Sequence, residues 1–291
     1  MTDAFRNDRS SIQPPHDSGA AAVDRSAQRV FPASCTQERL WFLDRFEPGS
    51  SAYNMTRALR LTGPLDVQAL RQSVDALVQR HEALRTVFVE EAGQPKQVVQ
   101  ESLRQPLAIL DLSDQPAPQR DAQAETFLQR EQRRTFDLSR GPLLRVHLLK
   151  LADHDHILML CMHHIIADGW SMAIVSDELR QLYDSHAAGR TPALPPLPIQ
   201  FVDFAQWERE RLDRGELDEQ IAQWKQMLAG APALLDLPLD RPRPASETHR
   251  GRRLRFEVSA ELTDALRRFA RGERATLYMA LLSVFEILLY R

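Results

Sequence analysis

The residues whose types and spacing can do chemistry lie between His156 and Ser171, in the stretch HILMLCMHHIIADGWS. An apolar run ends in adjacent histidines, His163 and His164, followed by Asp168, Gly169, Trp170 and Ser171. Imidazole can take and return a proton near neutral pH. In an extended strand alternate side chains share a face. Leu158, Leu160, Met162 and His164 then point one way, and Met159, Cys161 and His163 the other, so the two histidines cannot do the same work. One can look into a cavity while the other is held in packing or in a hydrogen bond. Gly169 after Asp168 suits a backbone conformation or a close approach that a side chain would block. A shared metal is disfavoured, because adjacent strand histidines diverge and cannot both reach one ion. His154 and His156 share a face but flank a turn, which reads as solvated.

A nucleophile has a weaker case. Gly169-Trp170-Ser171-Met172-Ala173 approximates the G-x-S-x-G elbow in a strand–turn–helix context, with His186 or His249 downstream as base. Ala173 replaces the last glycine and no glycine-rich oxyanion loop is visible. Ser171 as a helix N-cap is the simpler reading.

His163, His164, Asp168 and Gly169 match HHxxxDG, and three further blocks accompany it in order: Ser34 to Trp41 (SCTQERLW), Arg80 to Phe88 (RHEALRTVF) and Phe201 to Trp207 (FVDFAQW). From about Phe31 to Arg291 the sequence resembles the condensation domains of nonribosomal peptide synthetases, within the chloramphenicol-acetyltransferase-like acyltransferases. That resemblance implies an α+β fold in a two-lobe sandwich, the first lobe complete and the second only begun, as in a fragment or a truncated gene product. It implies acyl transfer: an amine attacking an acyl thioester, each on the phosphopantetheine arm of a partner carrier protein domain, with an adenylation domain nearby and no cofactor bound here.

By the same resemblance His164 faces the channel, as general base or as hydrogen-bond donor to the tetrahedral intermediate, and His163 is structural. Asp168 becomes an ion pair or cap that fixes the loop, with Arg85 and Arg145 as candidate cations, since a buried carboxylate needs one. Arg85 is expected to hold the active-site loop. Gly169 becomes the backbone position beside the channel, and Trp170 and Ser171 become contacts for the pantetheine arm. MHHIIADGWSM looks most like the subtype joining an L-donor to an L-acceptor, and His163 argues against the cyclising subtype, which carries an acid there. Epimerisation, another acyltransferase of the superfamily, and a non-catalytic remnant that docks carriers are the alternatives. The Arg80-His81-Glu82 and Asp203 to Trp207 stretches read as scaffold, and Trp41, Trp207 and Trp224 as core or interface anchors.

The elements that must position these residues follow from pattern. Residues 1–29 are polar with few large apolar groups and read as a disordered leader. Residues 30–188 hold a first lobe. A helix lies within Pro32 to Phe46, and Asp66 caps a helix with Val67, Leu70, Val74, Leu77 and Val78 on one face. Strands fall at Thr56 to Leu61, Arg80 to Val89, Gln97 to Gln100 and Leu107 to Leu110. Residues 113–120 form a loop and Ala122 to Arg134 a helix. Leu143 to Leu151 and His156 to His163 pair as a hairpin, and Ser171 opens a helix. Residues 189–198, GRTPALPPLP, carry four prolines and read as a semi-rigid linker. Residues 199–291 begin the second lobe, with helices at Phe204 to Leu212, Leu217 to Leu228 and Glu261 to Ala270, a strand at Arg253 to Val258, and a buried helix at Thr276 to Tyr290.

The 291 residues are 43% hydrophobic and 26% charged, ordinary for a globular protein. The net charge of −3 argues against nucleic acid. Two cysteines in apolar surroundings, Cys35 and Cys161, read as buried thiols. No secretory leader or membrane span is visible, so cytoplasm is the expected compartment.

Overall fold

The structure, a computed structural model, describes residues 30–103, 107–244, 251 and 254–291. The expected leader at 1–29, His249, and the first residue of the expected strand at Arg253 lie outside the described residues. The fold is mixed α and β, as expected. One compact unit runs to Gln223 and a second from Trp224 to Arg291.

The first unit is built on a four-stranded sheet in the order β2 (Asn54–Thr62), β7 (Asp155–His163), β6 (Leu144–Ala152), β5 (Leu107–Asp111). The β2–β7 and β7–β6 pairs are antiparallel and the β6–β5 pair is parallel. The expected hairpin is therefore present, with Leu148 opposite Leu158 and Leu144 opposite Met162. Strand alternation gives each face its own core. Leu144, Val146, Leu148, Leu158, Leu160 and Met162 pack under α2 (Val67–Arg80) and α4 (Gly169–Ala187), which supply Leu70, Val74, Leu77, Val175 and Leu179. Leu149 and Leu151 pack on the other face with Leu112 and with Ala124 and Phe127 of α3 (Ala117–Arg133). The α3 helix begins inside the stretch expected as a loop, with Pro118 in its first turn, where a missing N–H costs nothing.

A second, three-stranded sheet runs β1 (Val30–Pro32), β4 (Gln94–Val99), β3 (Thr86–Glu91). Helix α1 (Cys35–Phe46) starts at a capping box: Gln37 N–H donates to Ser34 Oγ, and Ser34 N–H to Gln37 Oε1. Asp66 caps α2 by accepting from Gln68 and Ala69 N–H, both at 2.9 Å. A short 3-10 turn, Glu82–Arg85, links α2 to β3.

The proline-rich stretch 189–198 carries no regular secondary structure, yet the first compact unit continues past it. Helix α5 (Phe201–Asp213) explains why. Val202 is buried with Phe31 of β1 and Val99, and Gln200 accepts from Glu82 N–H while donating to the Arg80 carbonyl. Those contacts tie the helix that follows the proline-rich stretch to the first compact unit.

The second unit holds α7 (Ala260–Gly272), α8 (Leu277–Tyr290) and the end of α6 (Asp218–Met227). Residues 254–258 form no strand, since a strand needs a paired neighbour and no described segment offers one. The expectation that α8 is buried is also corrected. It packs against α7 within its unit, and none of its residues is buried. Trp224 is likewise exposed rather than an anchor. Among the described residues no helix is long and apolar enough to cross a membrane.

Candidate active site

The two histidines separate as their strand positions require. His163 ends β7, buried at 3% exposure, between the rings of Tyr53 and Phe136 at 6.4 and 6.1 Å. Its Nδ1 accepts from Ile165 N–H at 3.2 Å, which leaves the proton on Nε2 in the neutral ring. Burial, reinforced by the neighbouring His164, pushes its pKa down to about 4. His163 is thus a neutral packing residue at neutral pH.

His164 is one residue beyond the strand. Its N–H donates to the Tyr53 carbonyl at 2.8 Å, which fixes its backbone, and its exposed side chain lines a cleft of about 230 Å³. Ile165, Ile166 and Ala167 are buried behind it. The loop is held from outside by Gln37, whose Nε2 donates to the Ile165 carbonyl at 3.2 Å and to Gln97 Oε1 at 3.0 Å. Gln37 and Tyr53 thus position His164, though their types alone signalled no such role.

Asp168 is the N-cap of α4. Its Oδ1 accepts from Ser171 N–H at 2.7 Å and from Ser171 Oγ at 2.6 Å. The Ser171 hydroxyl bond, helped by the backbone bond, holds the carboxyl below its ordinary value against partial burial. The cap is therefore Asp168 and not Ser171, and the helix starts two residues earlier than expected. The expected arginine partners are corrected too. Arg145 Nη2 donates to the Glu131 and Arg134 carbonyls at 3.0 and 2.7 Å, with its guanidinium 3.8 Å over the Phe136 ring. Arg85 donates to the Gln100 carbonyl and pairs with Glu82 at 3.4 Å. A partly exposed carboxylate with two hydrogen bonds at a helix N-terminus does not require a buried cation.

Gly169 is the first residue of α4, and a Cβ there would meet nothing within 4 Å. Neither φ nor a close approach requires glycine at this position in the chain as described. Trp170 is 73% exposed on the first turn of α4, while Ser171 lines the cleft with its hydroxyl committed to Asp168. His186 lies on the same helix as Ser171, about 22 Å away at roughly 1.5 Å per residue, so it cannot be the base for Ser171. Cys161 is buried as expected, but Cys35 is exposed, because it opens α1 at the surface with its N–H on Glu208. His154 is exposed whereas His156 is buried, because β7 starts at Asp155 and draws His156 into the sheet. Among the described residues no three His, Cys, Asp or Glu groups could hold a metal.

The cleft also has a wall the sequence did not disclose. Phe201, Phe204 and Glu208 reach it from α5. The helix is fixed by the Gln200–Asp203 capping box, by Glu208 accepting from Cys35 N–H at 2.8 Å, and by Arg209, which pairs with Glu38 and donates to the Ala33 carbonyl.

Comparison with known proteins agrees with this architecture. A family model, the condensation domain, matches residues 27–291. Phosphinothricin tripeptide synthetase PhsC of Streptomyces viridochromogenes is 46% identical over 260 residues, covering 89% of this chain and 24% of that protein. Chondramide synthase cmdD of Chondromyces crocatus is 39% identical over 262 residues, covering 90% of this chain and 7% of that protein. The chain thus spans a quarter or less of these relatives. Among solved structures, the X-domain from teicoplanin biosynthesis has a TM-score of 0.77 at 30% identity, covering 88% of this chain and 55% of that one. The four-domain nonribosomal peptide synthetase holo-AB3403 has a TM-score of 0.77 at 24% identity over 90% of this chain and 19% of that one, which speaks for the fold. With the HHxxxDG loop lining a cleft and the family model matched over the whole described length, the chain belongs to the condensation domain family of nonribosomal peptide synthetases.

Proposed function

We propose that this domain joins a carrier-bound acyl or peptidyl thioester donor to the α-amine of a carrier-bound aminoacyl acceptor, with His164 as the reacting side chain. The observation that carries the reading is the contrast within the histidine pair: one buried and neutral, the other open to a cleft. The amine nitrogen attacks the thioester carbonyl carbon, the tetrahedral intermediate collapses with loss of the pantetheine thiolate, and an amide remains. His164 takes the proton that the attacking nitrogen sheds and returns it to the departing sulfur. A positioned base gives about 10²–10⁴-fold, or roughly 3–5 kcal/mol. A thioester is already activated, so holding the reactants together supplies much of the rest.

Both substrates arrive on phosphopantetheine arms of partner carriers, with an adenylation domain loading the acceptor in the same cytoplasmic synthetase, and the domain needs no cofactor of its own. The motif favours an L-donor and an L-acceptor. Asp168 and Gly169 then serve the loop through the helix cap rather than through proton transfer.

The test is amide formation from donor-loaded and acceptor-loaded carriers. His164→Ala is expected to lose product by at least the factor a general base supplies while keeping its fold. Product at the wild-type rate would refute the assignment. A docking role without catalysis is the second reading, prompted by a solved relative described as a complex of an X-domain with OxyB. It predicts carrier binding with no product from either protein.

A further inference from the structure

The C-terminus of α3 is gripped from two strands at once. The last carbonyls of a helix have no partner inside it, and a single basic side chain near the end can meet them. Here two side chains converge. Arg145 of β6 donates from Nη2 to the Glu131 and Arg134 carbonyls, at 3.0 and 2.7 Å, and from Nη1 to the Thr135 carbonyl at 3.2 Å. Asn54 of β2 donates from Nδ2 to the Gln132 and Arg134 carbonyls, both at 2.8 Å. Arg145 stands opposite Cys161, and Asn54 opposite His163, so the two grips flank the end of β7. Neither side chain lines the His164 cleft.

The grip also seats an aromatic ring. The Arg145 guanidinium carbon lies 3.8 Å from the centre of the Phe136 ring, and Phe136 meets the His163 ring at 6.1 Å and 79°, an edge-to-face contact. His163 in turn accepts the Ile165 N–H on Nδ1 at 3.2 Å. On the other strand, Asn54 directly follows Tyr53, whose ring lies 6.4 Å from His163 and whose carbonyl accepts the His164 N–H at 2.8 Å. Two routes thus run from the end of α3 to the backbone N–H groups of His164 and Ile165. Close-packed interiors give little under load and pass displacement on. Capping alone would need the carbonyl contacts, but neither the ring stack nor a pair of grips on both flanks of β7.

We infer that Asn54 and Arg145 are positioning residues for His164: they clamp the end of α3 so that Phe136 and Tyr53 hold His163 and the loop that follows it. The inference rests on the condensation reading for what His164 does there. The Asn54 Oδ1 is buried without a partner, so its amide serves the clamp as a donor alone. Lysine is no substitute for Arg145, because an ammonium lacks the planar fork that reaches several carbonyls while stacking on a ring.

Three substitutions loosen the clamp with modest change of volume. Asn54→Asp turns the donor into an acceptor facing two carbonyls, Arg145→Lys removes the fork, and Phe136→Leu removes the ring while keeping an apolar side chain. Ala124→Gly weakens α3 from its buried face, about two turns before the clamp, and is the control. Amide formation is measured with donor-loaded and acceptor-loaded carriers, and the ring-nitrogen shifts of His163 and His164 are read by NMR without substrate. Each clamp variant is expected to lower kcat by about ten- to a hundredfold, the cost of misplacing a reacting group by up to about 1 Å, with little change in KM. Each should also move His163 from the single Nε2–H tautomer toward a mixture. Ala124→Gly should lower stability and leave kcat and tautomer as in the wild type. Wild-type kcat in Phe136→Leu and Arg145→Lys, an unmoved His163 tautomer, or an equal fall in Ala124→Gly would each overturn the inference. A wild-type protein that forms no amide would sink the condensation reading and leave the clamp to be judged by the tautomer, whereas unmoved shifts beside intact, His164-dependent catalysis would sink only the clamp.

Discussion

His163 supports a quantitative prediction, because its burial is a stability statement. Its pKa falls from 6.5 to about 4 on folding. Between those values the unfolded chain binds a proton that the folded chain refuses, so stability rises with pH across that window and falls as pH drops through it. At about pH 4.5 the loss relative to neutral pH amounts to roughly 2–3 kcal/mol from this one residue. His163→Gln removes the titration and keeps an oxygen to accept the Ile165 N–H that Nδ1 now accepts at 3.2 Å. The variant is expected to be less stable at neutral pH, through lost ring packing against Tyr53 and Phe136, yet to have a shallower acid limb. Urea unfolding of both proteins at neutral pH and at about pH 4.5 yields the double difference, and an NMR titration gives the folded pKa directly. Parallel acid limbs, or a folded His163 that titrates near the ordinary histidine value of 6.5, would refute the reasoning.

Two further outcomes concern the loop after it. Asp168→Ala removes the α4 cap and should cost about 1 kcal/mol in urea unfolding, whereas Asp168→Asn keeps an acceptor and should cost only a few tenths. Because the Ser171 hydrogen bonds hold the Asp168 carboxyl low, its stabilisation is present above the unfolded carboxyl value and is lost as pH falls through the folded one. Asp168→Asn should therefore lack that part of the acid dependence. Ser171 should stay unlabelled by a fluorophosphonate probe, since its hydroxyl donates to Asp168 at 2.6 Å and no base faces it from His186. Stoichiometric labelling abolished by Ser171→Ala would restore the hydrolase reading.

What the sequence disclosed was local. The β6–β7 hairpin, the Asp66 cap and the opposed histidines all follow from strand alternation and short-range capping, and the structure has each of them. What it hid was set by partners far along the chain. Phe201, Phe204 and Trp207 have the helical spacing of a core stripe, and only the placement of α5 beside the His164 loop turns two of them into cleft wall. Gln37 is a capping residue, but its amide also holds a carbonyl 128 positions away. The arginine partners expected for Asp168 failed because burial was assumed for a carboxylate that lies at a helix terminus near the surface. His156 was expected to be solvated beside the turn, whereas it lies within β7 opposite Leu61 and Lys150 and is buried, because strands on both sides cover it.

The way α5 is stapled back bears on where this chain can be cut and recombined. Gln200 bridges the Arg80 carbonyl and the Glu82 N–H, and Arg209 and Glu208 hold the start of α1. A chimera joined inside the proline-rich stretch 189–198, the obvious seam by composition, would inherit α5 from one parent and every group that grips it from the other. A crossover after Gln223 keeps the helix with its partners, and keeps both walls of the His164 cleft from one parent.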